Sequence, residues 1–341
     1  MKAALIKEFK EPLSIKDVPV PEVATESEVL VKVAACGLCY SDVKIWNGRS
    51  SQRPNLPHIL GHEIAGTIAW KGRSVSHLEE GDRVVVYLYD TCDKCEACMM
   101  GLDNYCTKTG PLLGFSRPGG FAEYVRIPSK NAIKIPPELE FIHAALLPDA
   151  VLTPYHAIVD KARVRFNETV MLLGMGGLAL CALQILKLLG ARVIAVSRTE
   201  GKLEFARKMG ADSVVNASEV ELVKEVKRLT QGFGVDYVFD FVGNEQTVEQ
   251  DLNIVRKGGR VILLGYEVEP FKVNVYRLMS GLSSLEASRS GTRKNLRDII
   301  KLASEGKVKP VVTATYPLNE ANLALQKLSR GEVMGRVVLT I

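Results

Sequence analysis

The chain has 341 residues, of which 47% are apolar and 24% are charged, and its formal net charge is +5. The length suggests two domains or one large domain, and the composition is that of an ordinary globular protein rather than a disordered one. The mild charge, without a run of five like charges, gives no sign of a nucleic-acid partner. The most apolar segment, 170–185, is too short and too rich in glycine for a membrane span, and the N-terminus lacks the pattern of a signal peptide. We therefore expect a cytoplasmic protein with no membrane contact.

The first third of the chain has the pattern of a β-rich domain, and the middle has a different one. Short apolar runs come first, separated by residues typical of turns. From residue 169, strands alternate with helices, which predicts βαβ units and a parallel sheet. The early strands are Glu28–Ala35, Ile64–Trp70 and Arg83–Leu88; the later strands are Thr169–Leu173, Arg192–Ser197, Asp212–Asn216, Asp236–Phe241 and Gly259–Gly265; the helices are Leu178–Leu189, Gly201–Met209 and Glu219–Thr230.

The tail of the chain resumes a mixed pattern. It predicts a helix over Asn295–Glu305, a strand over Val308–Thr315, a helix over Asn319–Arg330 and a final strand over 335–341. We infer an α/β protein in which residues 1–150 and 288–341 form a β-rich domain. A doubly wound parallel-sheet domain, residues 151–287, is then inserted into it.

A glycine-rich turn follows the first strand of the middle region and opens a helix. The first glycine, Gly174, allows a tight turn, and Gly176 lets a pyrophosphate approach the backbone. The small Ala179 suits the third position, where helix and strand pack closely. The helix N-terminus offers free N–H groups and a positive dipole to phosphate. This context predicts a dinucleotide site with contacts at Gly174, Gly176, Gly177 and Leu178.

The end of the second strand of this region bears on the choice of dinucleotide. An acidic residue normally stands there for the ribose hydroxyls of NAD, but the sequence here is Val196-Ser197-Arg198-Thr199. Ser197 can hydrogen-bond a 2′-phosphate, and Arg198 can pair with it as a planar cation. This favours NADP(H), while NAD(H) stays possible; the alternative for Arg198 is a solvated loop residue.

Four of the seven cysteines fall within fifteen residues. In a reducing cytosol such clustering indicates a metal site rather than disulfides. Four thiolates leave no open position around a tetrahedral zinc ion, so we expect a structural zinc. A ferredoxin-type iron–sulfur cluster is the rival, but its spacing and trailing proline differ. The lobe, at about residues 90–110, contains Cys92, Cys95, Cys98 and Cys106.

A second group of candidate ligands lies in the β-rich region. Cys36 and Cys39 have the spacing of a redox pair, but Ser41 and Asp42 follow, and His62 lies downstream beside Glu63. A cysteine and a histidine from separate loops, each near a carboxylate, indicate an open catalytic zinc site with its supporting groups. The neighbours of His62 distinguish it from the other histidines, His58, His77, His143 and His156.

These motifs together resemble the zinc-dependent medium-chain alcohol dehydrogenases, in the secondary-alcohol branch of bacteria and archaea. The family fold is a GroES-like catalytic domain with an inserted Rossmann domain. The matching pieces follow the family order over essentially the whole chain. They are Cys39-x-Ser41-Asp42, Gly61-His62-Glu63-x2-Gly66, the four-cysteine lobe, GDRV at 81–84, GGFAEY at 119–124, the glycine-rich turn at 174–179 and GRVV at 335–338.

The resemblance implies two zinc ions per subunit and a set of ligands for the catalytic one. Cys39 and His62 match two ligands, and Asp149 matches the third, where liver-type members have a cysteine; the alternative for Asp149 is a helix N-cap. Asp42 should accept the second hydrogen bond of His62. Glu63 would lie behind the metal and approach it transiently. The remaining cysteines, Cys36 and Cys181, would be packed core residues.

The resemblance also assigns the cofactor and proton-transfer residues. Thr153 would touch the nicotinamide, Lys202 the ribose, and Arg336 the pyrophosphate, with a surface salt bridge as the alternative for Arg336. Ser41 would hydrogen-bond the substrate oxygen and pass its proton outward. Lys44 stands where liver-type members have a histidine, which leaves the end of that relay open.

The expected activity is hydride transfer between NAD(P)(H) and a primary or secondary alcohol or the matching aldehyde or ketone. A polyol, threonine or sugar dehydrogenase is the first alternative, and a non-catalytic nucleotide- and zinc-binding protein is the second. Family members are dimers or tetramers, often joined through the nucleotide-domain sheets, and Gly259–Gly265 with the following segment is the expected edge. Candidate pocket residues, which favour an apolar substrate, are Trp46, Leu112, Phe115 and Tyr266.

Overall fold

The computed structural model describes residues 1–50, 52, 54–267 and 269–341. The strands are β1 (Lys2–Ile6), β2 (Ser14–Asp17), β3 (Glu28–Leu38), β4 (His58–Ile59), β5 (Glu63–Lys71), β6 (Arg83–Val86), β7 (Tyr124–Pro128), β8 (Ala132–Lys134), β9 (Thr169–Leu173), β10 (Arg192–Ser197), β11 (Ser213–Asn216), β12 (Val235–Asp240), β13 (Val255–Leu263), β14 (Ser284–Ala287), β15 (Val312–Pro317) and β16 (Arg336–Thr340).

Eleven α-helices are assigned within the described residues. They are α1 (Tyr40–Trp46), α2 (Glu96–Met99), α3 (Phe141–Ala144), α4 (Leu152–Tyr155), α5 (Gly177–Leu188), α6 (Glu200–Lys208), α7 (Leu222–Leu229), α8 (Glu245–Ile254), α9 (Val275–Gly281), α10 (Arg293–Ser304) and α11 (Ala321–Ser329). Two segments are π-helical, Leu147–Val151 and His156–Ala162, and short 3₁₀ turns lie at Asp103–Tyr105, Ser129–Asn131 and Leu318–Glu320. None of the helices in the described ranges is long and apolar enough to cross a membrane.

The chain divides into two compact units. The discontinuous unit comprises Met1–Leu152 and Thr292–Ile341, and the inserted unit comprises Thr153–Gly291. The first contains a seven-stranded sheet, in which β7 pairs with β3 beside the path β15-β16-β3-β5-β6-β8, and a small sheet β2-β1-β4. The tail joins this unit by antiparallel pairing of β16 with β3, Val337 opposite Leu38. Its largest fully buried side chains include Tyr87, Phe121 and Ile64.

The inserted unit contains a six-stranded parallel sheet in the order β11-β10-β9-β12-β13-β14. This is the strand order of the doubly wound dinucleotide-binding fold. Its strands read as apolar runs because helices cover a parallel sheet on both faces. Met171, Ile194, Val238 and Val261 are fully buried in its core. The α/β fold class predicted from the sequence is confirmed.

One detail of the predicted sheet edge is wrong. The strand expected at the edge, Gly259–Gly265, belongs to β13, which pairs with β12 on one side and β14 on the other. The edge is β14, which follows α9 and was not predicted as a strand. The sequence did not predict this strand because the segment Ser284-Leu285-Glu286-Ala287 is short and lacks β-branched residues.

Candidate active site and metal centres

A group of four side chains that could hold a metal ion lies at one end of β3 and β5. We call Cys39, His62, Glu63 and Asp149 the mixed cluster; their ligand atoms all lie within 4.8 Å of one another. Antiparallel pairing sets Gly37 opposite Glu63, so the chain leaves β3 towards Cys39 at the point where His62 leads into β5. The third segment is the π-helical turn Leu147–Val151, which presents Asp149. π-Helical turns are rare and are often found at functional sites.

His62 is the centre of this cluster and is 2% exposed. Its Nε2 lies 3.6 Å from Asp149 Oδ2 and 3.4 Å from Ser41 Oγ, and its Nδ1 lies 3.6 Å from Asp42 Oδ1. A tetrahedral metal bound to nitrogen, oxygen and sulfur at ~2.0–2.3 Å needs its ligand atoms about 3.3–3.8 Å apart. The donor set and the spacing therefore fit zinc.

Asp42 is fully buried and organises both loops. Its carboxylate accepts hydrogen bonds from the backbone N–H of Cys39 at 2.8 Å and of Gly61 at 3.3 Å. The distance from His62 Nδ1 to Asp42 Oδ1, 3.6 Å, is longer than that of a usual hydrogen bond. Burial lowers the pKa of His62, but the charge of Asp42 and the hydrogen bonds with Asp149 and its neighbours together outweigh burial and raise that pKa well above its usual range.

Glu63 forms a buried ion pair with Arg336 from the last strand. Glu63 is fully buried and Arg336 is 5% exposed. Burial raises the pKa of Glu63 to about 8, with the charge of Asp149 adding to it and that of Arg336 opposing it. For Asp149, burial is outweighed by the hydrogen bond and charge of His62, so its pKa is lowered. The ion pair is therefore buried and not a surface salt bridge.

The remaining candidates of this unit are placed as follows. The Phe115 ring lies 4.9 Å from that of His62, centroid to centroid, and forms an apolar wall. Trp46 Nε1 donates to the carbonyl of Glu11 at 2.7 Å. Leu112 and Cys36 are buried, and Lys44 lies in the last turn of α1. Three other histidines have partners away from the cluster: His58 contacts Gly114 O, His77 contacts Ser129 O and His143 contacts Glu140.

The four-cysteine lobe brings its thiols together at α2. The Sγ–Sγ distances are 3.5 Å for Cys95–Cys98, 3.9 Å for Cys95–Cys106 and 3.5 Å for Cys92–Cys106. A tetrahedral zinc with Zn–S of ~2.3 Å requires about 3.8 Å between sulfur atoms. Hydrogen bonds from the backbone N–H of Cys98 and of Thr107 lower the pKa of Cys95 to about 6, which favours the thiolate that a metal needs.

A tail residue anchors this lobe, and the sequence gave no signal of it. Arg293 opens α10, and its Nε donates to Asp103 Oδ2 at 2.6 Å and its Nη2 to Thr91 Oγ1 at 3.1 Å. It also pairs with Asp93. The partners lie about 190–202 residues apart in sequence. Arg293 and its partners meet because the tail, from residue 292, folds into the same unit as the N-terminal segment.

The inserted unit carries the predicted phosphate-binding turn. Gly174 has φ of +92°, which other residues rarely adopt. Gly176 precedes α5 without a side-chain cap, and a Cβ there would meet no atom within 4 Å. Ala179 is fully buried at the helix–strand contact. The open space and the uncapped N–H groups of Gly177, Leu178 and the following turn fit a pyrophosphate.

The adenosine end of this unit lies after β10. Ser197 is 9% exposed and accepts a hydrogen bond from Thr199 N at 3.1 Å, while Arg198 is exposed. The nearest carboxylate in sequence, Glu200, is ion-paired with Arg207 at 2.7 Å. Two further cofactor candidates lie in this unit: Lys202 is half-buried on α6, and Thr153 is buried in α4. Cys181 is buried in α5, and Tyr266 is 48% exposed. His156 Nδ1 lies 3.2 Å from the Asp160 carboxylate.

Comparison with known proteins agrees with this geometry. Residues 25–137 match the family model of the alcohol dehydrogenase GroES-like domain, and residues 177–305 match that of the zinc-binding dehydrogenases. An alcohol dehydrogenase of Geobacillus stearothermophilus is 35% identical over 342 residues, covering 100% of both chains. The D-arabinose 1-dehydrogenase (NADP(+)) of Saccharolobus solfataricus is 35% identical, covering 99% of this chain and 97% of its own.

The fold of this chain is also similar to that of a solved structure. The crystal structure of the alcohol dehydrogenase from the archaeon Aeropyrum pernix superimposes with a TM-score of 0.94 at 36% identity, covering 100% of both chains. The resemblance inferred from the motifs is thereby confirmed. The chain belongs to the zinc-dependent medium-chain alcohol dehydrogenases, a family of oxidoreductases.

Proposed function

We propose that this protein is an alcohol dehydrogenase and carbonyl reductase with two zinc ions per subunit and a preference for NADP(H). Its substrates are primary or secondary alcohols and the matching aldehydes or ketones. The observation that carries the proposal is the mixed cluster, in which Cys39, His62 and Asp149 converge beside the Ser41 hydroxyl. Zinc held by these three residues would polarise the substrate oxygen as a Lewis acid, and the dinucleotide would carry the hydride.

The chain's own residues supply orientation and proton transfer. Ser41 would hold the substrate hydroxyl and receive its proton, a role supported by the 3.4 Å distance from its Oγ to His62 Nε2. Asp42 fixes the loops of Cys39 and Gly61, and so sets the geometry in which they act. Lys44 follows Ser41 by about one helical turn and is our candidate for the next group in the relay.

The roles of Glu63 and Arg336 follow from their ion pair. Glu63 places a carboxylate behind the proposed metal ligands, and the guanidinium of Arg336 compensates its negative charge. We propose that Arg336 holds Glu63 in place and also contributes to the pyrophosphate site formed by the backbone of Gly174, Gly176, Gly177 and Leu178. A second metal in the four-cysteine lobe would be structural, because four cysteines close the coordination sphere.

The preference for NADP(H) is supported by the end of β10. Ser197 and Arg198 offer a hydroxyl and a guanidinium, and Glu200 is held by Arg207. We expect Arg198→Ala to raise KM for NADPH at least tenfold, since a charged hydrogen bond contributes ~1.5–3 kcal/mol, with KM for NADH little changed. Lys208→Ala, which removes an exposed cation of α6, is the matched control. Equal changes for both dinucleotides would contradict the preference. Lys202 and Thr153 complete the proposed cofactor contacts at the ribose and nicotinamide.

The apolar substrate class is supported by Phe115, whose ring lies against His62. A sugar dehydrogenase is the second candidate, because one relative at 35% identity is a D-arabinose 1-dehydrogenase. NADPH oxidation with a panel of aldehydes, ketones and sugar lactones, together with NADP⁺ reduction by alcohols and aldoses, distinguishes the two. Turnover confined to aldoses would favour the sugar reaction, and no turnover with any of these compounds would contradict the proposal.

We also propose a homodimer or homotetramer assembled through the inserted unit. The edge strand β14 is preceded by α9 and the residue that follows it, where Val275, Tyr276, Met279 and Leu282 are 62–76% exposed. Exposed apolar patches of this kind mark protein–protein contacts. Native mass spectrometry measures the subunit number and the zinc count together; a monomer would contradict the assembly, and one zinc per subunit would contradict the two-zinc proposal.

A further inference from the structure

The inserted unit contains a pair of fully buried carboxyl groups. Asp240 is the last residue of β12, and Asp251 lies in α8; both are 0% exposed. Asp240 is well supplied with hydrogen-bond donors. Its Oδ1 accepts from the backbone N–H of Val242 at 2.7 Å and of Gly243 at 3.0 Å, and its Oδ2 accepts from Thr247 Oγ1 at 2.7 Å.

Asp251 has the opposite environment. In the part of the chain that the structure describes, neither Asp251 oxygen accepts a hydrogen bond from an N–H group or a hydroxyl. A buried carboxylate without donors is costly, whereas a carboxylic acid can donate to a neighbouring anion. Burial and then the charge of Asp240 raise the pKa of Asp251 well above its usual range. Among the described ionisable groups around α8, Asp240 is the one whose charge shifts it.

The two carboxyls therefore differ in protonation. Burial raises the pKa of Asp240 too, but three donors oppose that rise, so Asp240 is the better stabilised anion and Asp251 keeps the proton and donates it towards Asp240. One shared proton avoids placing two like charges side by side in the core.

The segment that Asp240 holds leads to the dinucleotide site. Phe241 N donates to Leu173 O at 3.0 Å, directly before the glycine-rich turn. A Cβ on Gly174 would lie only 3.0 Å from the Val242 side chain, so Val242 packs against that turn. On the other side, Gly265 N donates to Asp240 O at 2.9 Å. Residues 241–243 thus form a support under the turn that opens α5.

We propose that Asp251 is a positioning residue for the cofactor: its carboxylic acid donates to the Asp240 carboxylate and so fixes residues 241–243 against the glycine-rich turn. The dinucleotide part of this inference rests on the proposed function. The shared proton does not, and it is measured without any dinucleotide.

The first experiment follows thermal unfolding of the zinc-loaded protein, without dinucleotide, from pH 5 to pH 9. A group whose folded pKa is raised binds more protons when folded, so it lowers stability as pH rises from ~4 to the folded pKa. In Asp251→Asn, the side-chain amide donates a hydrogen bond to Asp240 at every pH, so the fall in stability with rising pH should disappear. We expect the Tm difference, Asp251→Asn minus wild type, to grow by roughly 2 °C per pH unit.

The matched control is Glu249→Gln, on the exposed face of the same helix. It removes one carboxylate from α8 without touching the pair, so its Tm should run parallel to wild type. If Asp251→Asn also runs parallel to wild type, Asp251 is ionised in the folded protein and the inference fails.

The second experiment measures dinucleotide dissociation constants at pH 7 from the quenching of protein fluorescence. Asp251→Ala should raise Kd about tenfold, since the support under the turn loses its proton donor, and Asp251→Asn should stay within twofold of wild type. Zinc content should be unchanged in both. A normal Kd for Asp251→Ala, or an equally weakened Kd for both variants, would overturn the positioning role. Absence of dinucleotide binding by wild type would instead refute the proposed function, with the pH experiment still deciding the shared proton.

Discussion

The two cysteine-containing clusters of the discontinuous unit are built in opposite ways. The four-cysteine lobe comes from fifteen consecutive residues, its thiols are half-buried, and its own backbone N–H groups stabilise the thiolates. The mixed cluster draws on three separated segments, and its histidine and glutamate are buried. Local chain geometry suffices for a closed site of identical ligands. An open site with unlike ligands depends instead on long-range pairing and on buried charges.

The most severe test of this difference removes one ligand from the mixed cluster. Asp149→Ala should abolish nearly all activity, because a three-ligand site loses its only carboxylate ligand, while the lobe keeps its metal. Zinc analysis should show one ion per subunit instead of two. Cys98→Ser is the converse variant, which should release the lobe metal. Full zinc content with full activity in Asp149→Ala would contradict the ligand assignment.

A change beside the mixed cluster separates metal binding from proton transfer. Ser41→Ala should lower kcat by ~10²–10⁴-fold, the usual contribution of general acid–base catalysis, since it removes the hydroxyl that lies 3.4 Å from His62 Nε2. Its zinc content and Tm should equal those of wild type. Unchanged turnover under conditions where chemistry limits the rate would remove Ser41 from the relay.

The buried ion pair tests how far the mixed cluster depends on charge. Arg336→Met should destabilise the protein by ~3–5 kcal/mol, because it leaves Glu63 buried without its counter-charge. The double variant Arg336→Met/Glu63→Gln removes both charges and should recover much of this loss in denaturant unfolding. A single variant that is as stable as the double variant would show that the pair contributes no more than its packing.

The smallest expected effect concerns the lobe. Arg293→Met removes hydrogen bonds to Asp103 and Thr91, and we expect a loss of about 2 kcal/mol of stability, as for charged hydrogen bonds. The lobe zinc should exchange faster with a chelator, and kcat should change less than twofold. Lys294→Met, the next residue and an exposed one, is the control. A large fall in kcat would show that the lobe and the mixed cluster are not independent.

Local patterns predicted the inserted unit well. Thr169–Leu173 and Arg192–Ser197 were predicted with the bounds that β9 and β10 have, because apolar runs and glycine turns are short-range signals. The same reasoning reached the four-cysteine lobe from its spacing alone. Ser41, Thr153 and Lys202 came only with the family resemblance, and their roles are still predictions.

Contacts between distant residues were beyond sequence reasoning. Glu63 and Arg336 lie 273 residues apart, and Arg293 lies 190 residues from Asp103, so no local pattern links them. The π-helical turn at Asp149 was missed for another reason. Leu147-Pro148-Asp149-Ala150-Val151 has no signature that separates it from an ordinary helix start, since its geometry comes from tertiary packing. The pairing of Asp240 with Asp251 was likewise invisible, because a helical aspartate usually faces solvent.

The strand pairing that returns the tail to β3 has a consequence for how the protein is made. Glu63 leaves the ribosome 273 residues before Arg336, which is about 14–55 s at ~5–20 residues per second. The whole inserted unit is synthesised during that interval and can fold as a unit. Until β16 is synthesised, the first segment lacks both the strand that pairs with β3 and the guanidinium that pairs with Glu63. The catalytic centre is completed last, although its first ligands are synthesised early.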